Sequence, residues 1–314
     1  MESNTKLPEE SKSKSKLLSR VPRWALISPF FLSSVFFLSG LFTLFSPLPV
    51  LVLYMQKGRG WAWLCALSNS LIVAALVGPS GLALYFVFVV VLSLVFSDLL
   101  IRMKSVEKST IGTLFAMGAS AALVLAFYAQ MHHVNFINEI QSYVASKVDT
   151  LASTSLSGSS LVDPADLEEL KQHIVLEFPS FVAILSLIFV WINFVILFFM
   201  NPNKMRERVQ LDASLFKKWK APEHFIWPTI ISGFFLLINF GTISDISVNV
   251  FKFLMSVYAL QGLSVFCYFF DAWGLKGLFR LLGYSLPLLF MTPLVLCVGF
   301  FDLWFDFRSK FRQS

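Results

Sequence analysis

Long apolar runs separated by short polar or proline-containing breaks set the plan of this chain. Residues 24–45, 61–77, 82–101, 111–131, 181–200, 225–240, 247–270 and 285–304 are apolar over nearly their whole length. A helix rises about 1.5 Å per residue, so roughly 20 apolar residues match a hydrocarbon core about 30 Å thick. The pattern predicts an all-α fold, a polytopic transmembrane helical bundle of about eight spans. One apolar piece, residues 49–56, has about half that length, and Pro47 and Pro49 break the helix ahead of it. It is predicted to be a short or re-entrant helix that carries Lys57 and Arg59 back to the side where the first helix began, its freed backbone groups satisfied by neighbouring helices.

Residues 132–178 interrupt the apolar plan. They carry Glu139, Asp149, Asp163, Asp166, Glu168, Glu169 and Glu177 against Lys147 and Lys171. Ile137, Ile140, Val144, Val148 and Leu151 share one helical face, and Leu167, Leu170, Ile174 and Phe178 share another. A Ser/Thr-rich linker at 153–160 and Pro164 at a helix start separate them. This predicts an extracytoplasmic amphipathic helical hairpin inserted into a single membrane domain, residues 24–308. A polar, basic tail over 1–23 is expected to be disordered and cytoplasmic, and residues 309–314 form a C-terminal tail. In the helix over 111–131, Gly112, Ala116 and Ser120 recur every fourth position, which predicts a central packing helix.

Charge orients these segments. Only 14% of residues are charged, and the net +6 comes from short Lys/Arg clusters between apolar runs, the arrangement of the positive-inside rule rather than of a nucleic-acid-binding face. Lys57 with Arg59, Arg102 with Lys104 and Lys108, the group from Lys204 to Lys220, and Lys276 with Arg280 all belong on the cytoplasmic side. Counting eight spans then leaves Arg308, Lys310 and Arg312 outside, against the same rule, so the side of the C-terminus stays open. Cys65, Cys267 and Cys297 lie inside apolar runs and read as packing residues. No metal-ligand spacing, cofactor motif or catalytic motif is present, so no enzyme, metal or cofactor is predicted.

Polar side chains within spans are the candidates for function. Asp245, Asn249, Lys252 and Ser256 follow one helical stripe, with Gln261 further along the same helix. Asn69, Asn193 and Asn239 stand singly in other helices. The candidate cavity-lining set is therefore Asn69, Asn193, Asn239, Asn249, Lys252, Ser256 and Gln261, alternatively read as residues that hold helices together. Asp302 and Asp306 are four apart beside Trp304 and Arg308, in an aromatic setting that reads as an interface belt and docking segment.

Pro47-Leu48-Pro49 leading to Lys57-Gly58-Arg59-Gly60, the acidic segment, Trp227-Pro228, Gln261-Gly262-Leu263 and the ending from Gly299 to Arg308 together resemble the YybS-like family of bacterial polytopic membrane proteins. The resemblance covers about residues 24–308. It implies a bacterial inner-membrane location and a helical bundle, with a distant similarity to the substrate-binding S components of energy-coupling-factor transporters. The expected role is a transporter-like, small-solute-binding subunit embedded in the lipid bilayer with its N-terminus cytoplasmic. The alternative is a membrane scaffold that recruits envelope or cytoplasmic protein partners.

Overall fold

The computed structural model of the protein describes residues 27–133, 135–155, 164–238 and 241–313. The basic tail and Asn239 lie outside them. Helices α1 (Pro29–Leu38) and α2 (Leu48–Lys57) are followed by α3 (Arg59–Val77), α4 (Pro79–Met103), α5 (Val106–His132) and α6 (Phe136–Ser155). Then come α7 (Pro164–Met200), α8 (Ile226–Leu237), α9 (Thr242–Ala272), α10 (Gly277–Phe290), α11 (Thr292–Phe305) and α12 (Phe307–Gln313). Gly58 and Gly78, at φ 92° and 81°, supply the left-handed backbone that joins successive helices with almost no loop.

Among the described residues five helices, α3, α4, α5, α7 and α9, are long and apolar enough to cross a membrane, and the α10–α11 pair makes at most a sixth. The expectation of about eight spans is thus too high, because three apolar runs are folded rather than straight. In the first, α1 stops at Leu38, a short turn over Thr43–Phe45 follows, and α2 runs back. In the second, α8 has only 12 residues, about 18 Å of rise. In the third, the helix breaks at Met291, between Pro287 and Pro293, and turns by 93°.

Tertiary contacts give these folded pieces their direction. Phe30 meets Trp61 near the start of α3, while Phe37 meets Tyr85 near the start of α4, so α1 runs inward from the end that carries Arg59. Ser33 Oγ donates to the Ser46 carbonyl (2.6 Å) and closes the turn between α1 and α2. Gln56 then donates to Asn201 Oδ1 (3.2 Å), which sets Lys57 beside the end of α7. The pair α1–α2 therefore folds back on itself, beginning and ending near the end of the bundle that carries Lys57 and Arg59. The α10–α11 pair also begins and ends beside one segment: Arg280 pairs with Asp271, which also pairs with Lys217, and Arg308 donates to the Lys217 carbonyl (2.8 Å).

The basic clusters of the described residues consequently share one end of the bundle, the basic end. Lys220 pairs with Asp306 (3.1 Å), which brings the C-terminal tail to the same end as the loop between α7 and α8.

The expected two-helix hairpin over 132–178 is also corrected. α6 does pack against the start of α7, with Lys171 bridging to Asp149 (2.9 Å), but the second limb is no separate helix: α7 continues from Pro164 through Pro179 to Met200. Proline normally breaks a helix by removing a donor and crowding the preceding turn. Here Asn249 of α9 reaches into the gap: its Oδ1 accepts from the Ser180 amide (2.8 Å) and its Nδ2 donates to the Leu176 carbonyl (2.9 Å). Those two groups are the partners of one i to i−4 rung, so the side chain splices the ladder.

The principal core joins Met55, Phe96, Leu100, Val190, Phe194 and Leu197, from α2, α4 and α7, to Met205 and Val209 of the following loop. α5 is peripheral rather than central. Gly112 and Met117 face neighbours, with Leu99 of α4 close to Gly112, but Phe115, Leu123 and Phe127 are exposed. Residues 210–225 fold into the bundle after α7, Phe216 packing on Phe194, Phe198 and Phe199 and Trp219 on Trp191. This inward course gives α8 a deep starting point and lets a short helix reach the beginning of α9.

Candidate functional site

The polar residues singled out in the spans are distributed among separate helix contacts. Asn69 is fully buried; it accepts from the Ser34 amide (2.8 Å) and donates to the Pro29 carbonyl (3.0 Å), tying α3 to α1. Asn193 donates to the Leu44 and Phe189 carbonyls (both 2.8 Å), fixing the α1–α2 turn to α7. Asn249 splices α7, and Lys252 beside it pairs with Glu177. Ser256 bonds back to the Phe253 carbonyl of its own helix (2.6 Å). These residues are not brought together around one space.

Gln261 belongs instead to a buried polar cluster with Asp302 and Arg308. Its Oε1 accepts from the Ala221 amide (2.9 Å) and its Nε2 donates to Asp302 Oδ2 (3.0 Å). The Arg308 guanidinium donates to the same carboxylate oxygen (2.6 Å) and to the carbonyls of Lys217 and Trp219. Asp302 also accepts from the Phe307 amide (3.1 Å). Charge buried at this depth is tolerated because each ion has its counter-ion and further hydrogen bonds. Asp306, half-exposed, uses Lys220, so the two aspartates four residues apart have different cations. Hydrogen bonding from Lys220 holds the Asp306 carboxyl below its usual range. Trp304 is exposed and stands edge-on to Phe300 (4.9 Å).

This cluster backs onto a cavity of about 730 Å³ at the basic end. One wall is the α7 stripe Ile192, Val195, Ile196 and Phe199, and the facing wall is the α9 stripe Leu260, Leu263, Ser264, Cys267 and Asp271. Both stripes repeat at i, i+3, i+4 and i+7, the spacing of one helical face. α7 and α9 touch through Asn249 and Lys252 at the opposite end, and the cavity lies between them where they approach the basic end. Residues Ala213, Phe216 and Trp219 form a side wall, and Arg280 and Tyr284 of α10 complete the mouth.

The mouth holds two cations on one anion. Asp271 pairs with both Lys217 and Arg280, and Arg280 also donates to Cys267 Sγ (3.2 Å) and lies over the Tyr284 ring. Deeper in, Trp191 and Trp219 meet edge-to-face at 4.8 Å. Together with Leu260 they also line a second, apolar cavity of about 240 Å³ that reaches Thr110 and Leu114 of α5. The Trp219 indole N–H is buried without a hydrogen-bond partner, unusual for a donor in a protein interior. Among the described residues no group of three or more His, Cys, Asp or Glu is placed to hold a metal ion.

Sequence reasoning missed the residues of this cavity. The stripe from Leu260 to Asp271 was visible as a helical face ending in a lone acid ahead of Arg280. Lys217 and Trp219 carried no signal beyond belonging to a basic loop, because their position depends on that loop turning inward.

The family described as predicted membrane protein (DUF2232) matches the chain over residues 25–303. No curated protein and no solved structure matches it.

Proposed function

The chain belongs to the DUF2232 family of predicted membrane proteins, and from that premise we propose that this multi-pass membrane protein is a solute-binding subunit whose ligand occupies the cavity between α7, α9 and α10. The observation that carries this reading is the cavity itself: about 730 Å³, apolar along two helix faces, with convergent polar groups at its mouth. That size and that mixture are those of a small-molecule site. The folded-back pair α1–α2 and the 93° bend between α10 and α11, read as re-entrant hairpins, would supply the discontinuous helices that recur in transporters, which supports a transporter-like or S-component-like role. The basic end faces the cytoplasm of a bacterial inner membrane.

Native mass spectrometry of the purified protein tests the reading. A small molecule retained at one per chain, and lost when Cys267→Trp fills the cavity without lowering the melting temperature, is the expected result. A wild-type protein that retains nothing, or a ligand held equally by Cys267→Trp, overturns it.

A further inference from the structure

Resting on the reading of this cavity as a binding site, we infer that its ligand is an anionic membrane lipid, with the headgroup phosphate at Lys217 and Arg280 and an acyl chain between the α7 and α9 stripes. Three features converge on that chemistry. First, the charged side chains lining the cavity are Lys217, Arg280 and Asp271. Asp271 offsets one of the two cations and leaves a net positive charge at the mouth. A guanidinium beside an ammonium suits a phosphate, which accepts from both, and Arg280 can present two parallel N–H groups.

Second, the walls below the mouth are those of a chain-binding slot rather than of a site for a soluble anion. Ile192, Val195, Ile196 and Phe199 oppose Leu260 and Leu263, and a free phosphate compound would leave this apolar surface uncovered. Phe199 is largely exposed on the bundle surface, so the slot meets the lipid phase along its side. A lipid in the leaflet at the basic end can therefore enter laterally, keeping its headgroup level with the charged mouth.

Third, Trp219, whose buried indole N–H has no hydrogen-bond partner, is shared by this cavity and the smaller apolar one. The smaller apolar cavity beyond Trp191 and Trp219 is in line to take the end of the chain.

The experiment is a competition read by native mass spectrometry on detergent-purified full-length protein, offered equimolar phosphatidylglycerol and phosphatidylcholine. The expected result is one retained lipid per chain with at least about tenfold preference for phosphatidylglycerol. The preference should vanish in the Lys217→Gln, Arg280→Gln double variant and survive in Arg280→Lys. Glycerol phosphate at the same concentration should not displace the lipid. Equal retention of both lipids by the wild type, or a preference that persists in the double variant, overturns the inference, as does displacement by glycerol phosphate. If the protein retains another small molecule that Cys267→Trp excludes, while no phosphatidylglycerol preference appears, the lipid assignment falls and the solute-binding reading stands.

Discussion

Asn249 shows how one side chain governs a long helix. Pro179 removes a donor from the middle of α7, and the Asn249 carboxamide supplies both a donor and an acceptor at the rung between Leu176 and Ser180. Asn249→Ala leaves those backbone groups without that partner, which costs about 1–3 kcal/mol for each buried group left unsatisfied; a lowered melting temperature in detergent measures it. Arg308 stands in a similar position toward Asp302, whose side chain is fully buried. Arg308→Gln strands a buried carboxylate and should cost about 3–5 kcal/mol. The Asp302→Asn, Arg308→Gln double variant should be less destabilised than Arg308→Gln alone, because the uncompensated charge is gone. Thermal melts of the three proteins decide between an ion pair and mere packing.

The Lys220–Asp306 pair makes a separate, pH-dependent contribution. Its carboxyl is depressed in the folded protein by the Lys220 hydrogen bond, so the stabilisation is fully present above the ordinary aspartate value of 3.8. It is lost as the pH falls through the lower folded value. The melting temperature of Asp306→Asn should therefore lie below that of the wild type at neutral pH and converge with it below pH 3.8.

At the scale of elements, the packing of α9 on α11 depends on two glycines. A Cβ on Gly299 would fall onto the Tyr258 carbonyl, and one on Gly262 would meet the Val295 backbone. The two backbones approach closely because neither position has a side chain, the device by which membrane helices gain packing contacts without hydrophobic driving force. Gly299→Leu forces α11 away from α9 and should cost at least about 1–3 kcal/mol, with the Asp302–Gln261 hydrogen bond lost. Proteolysis of the tail after Phe305 would then quicken, and unchanged protection would contradict this packing. The proline breaks act at the same scale: Pro47 follows the α1–α2 turn, and Pro287 with Pro293 flanks the turn at Met291.

For the whole molecule, the pairs α1–α2 and α10–α11 each begin and end beside the basic end, where the basic clusters of the described residues gather. Single cysteines at Lys57, Lys204 and Lys310, placed in a protein without native cysteines, should all react with a membrane-impermeant reagent from the same face of the membrane. Labelling of positions 57 and 310 from opposite faces would require one hairpin to be a complete crossing. The same arrangement makes the cavity. α7 and α9 are fastened at one end by Asn249 and Lys252, and at the other the inward-turning loop and α10 stand between them.

Local pattern was enough to establish an all-α membrane protein and its five long apolar helices, because the length of an apolar run is a property of neighbouring residues. The number of crossings was not local. Residues 285–304 have the apolar length of a span, and only the structure shows a 93° bend there that brings Arg280 and Arg308 to the segment carrying Lys217. The lone amides read as cavity lining or, more often, as helix fasteners. In the structure Asn69, Asn193 and Asn249 each meet backbone groups of another element. Lys217, Trp219, Asp271 and Arg280 come from segments far apart in the chain, and a cavity between diverging helices exists only once those segments are packed.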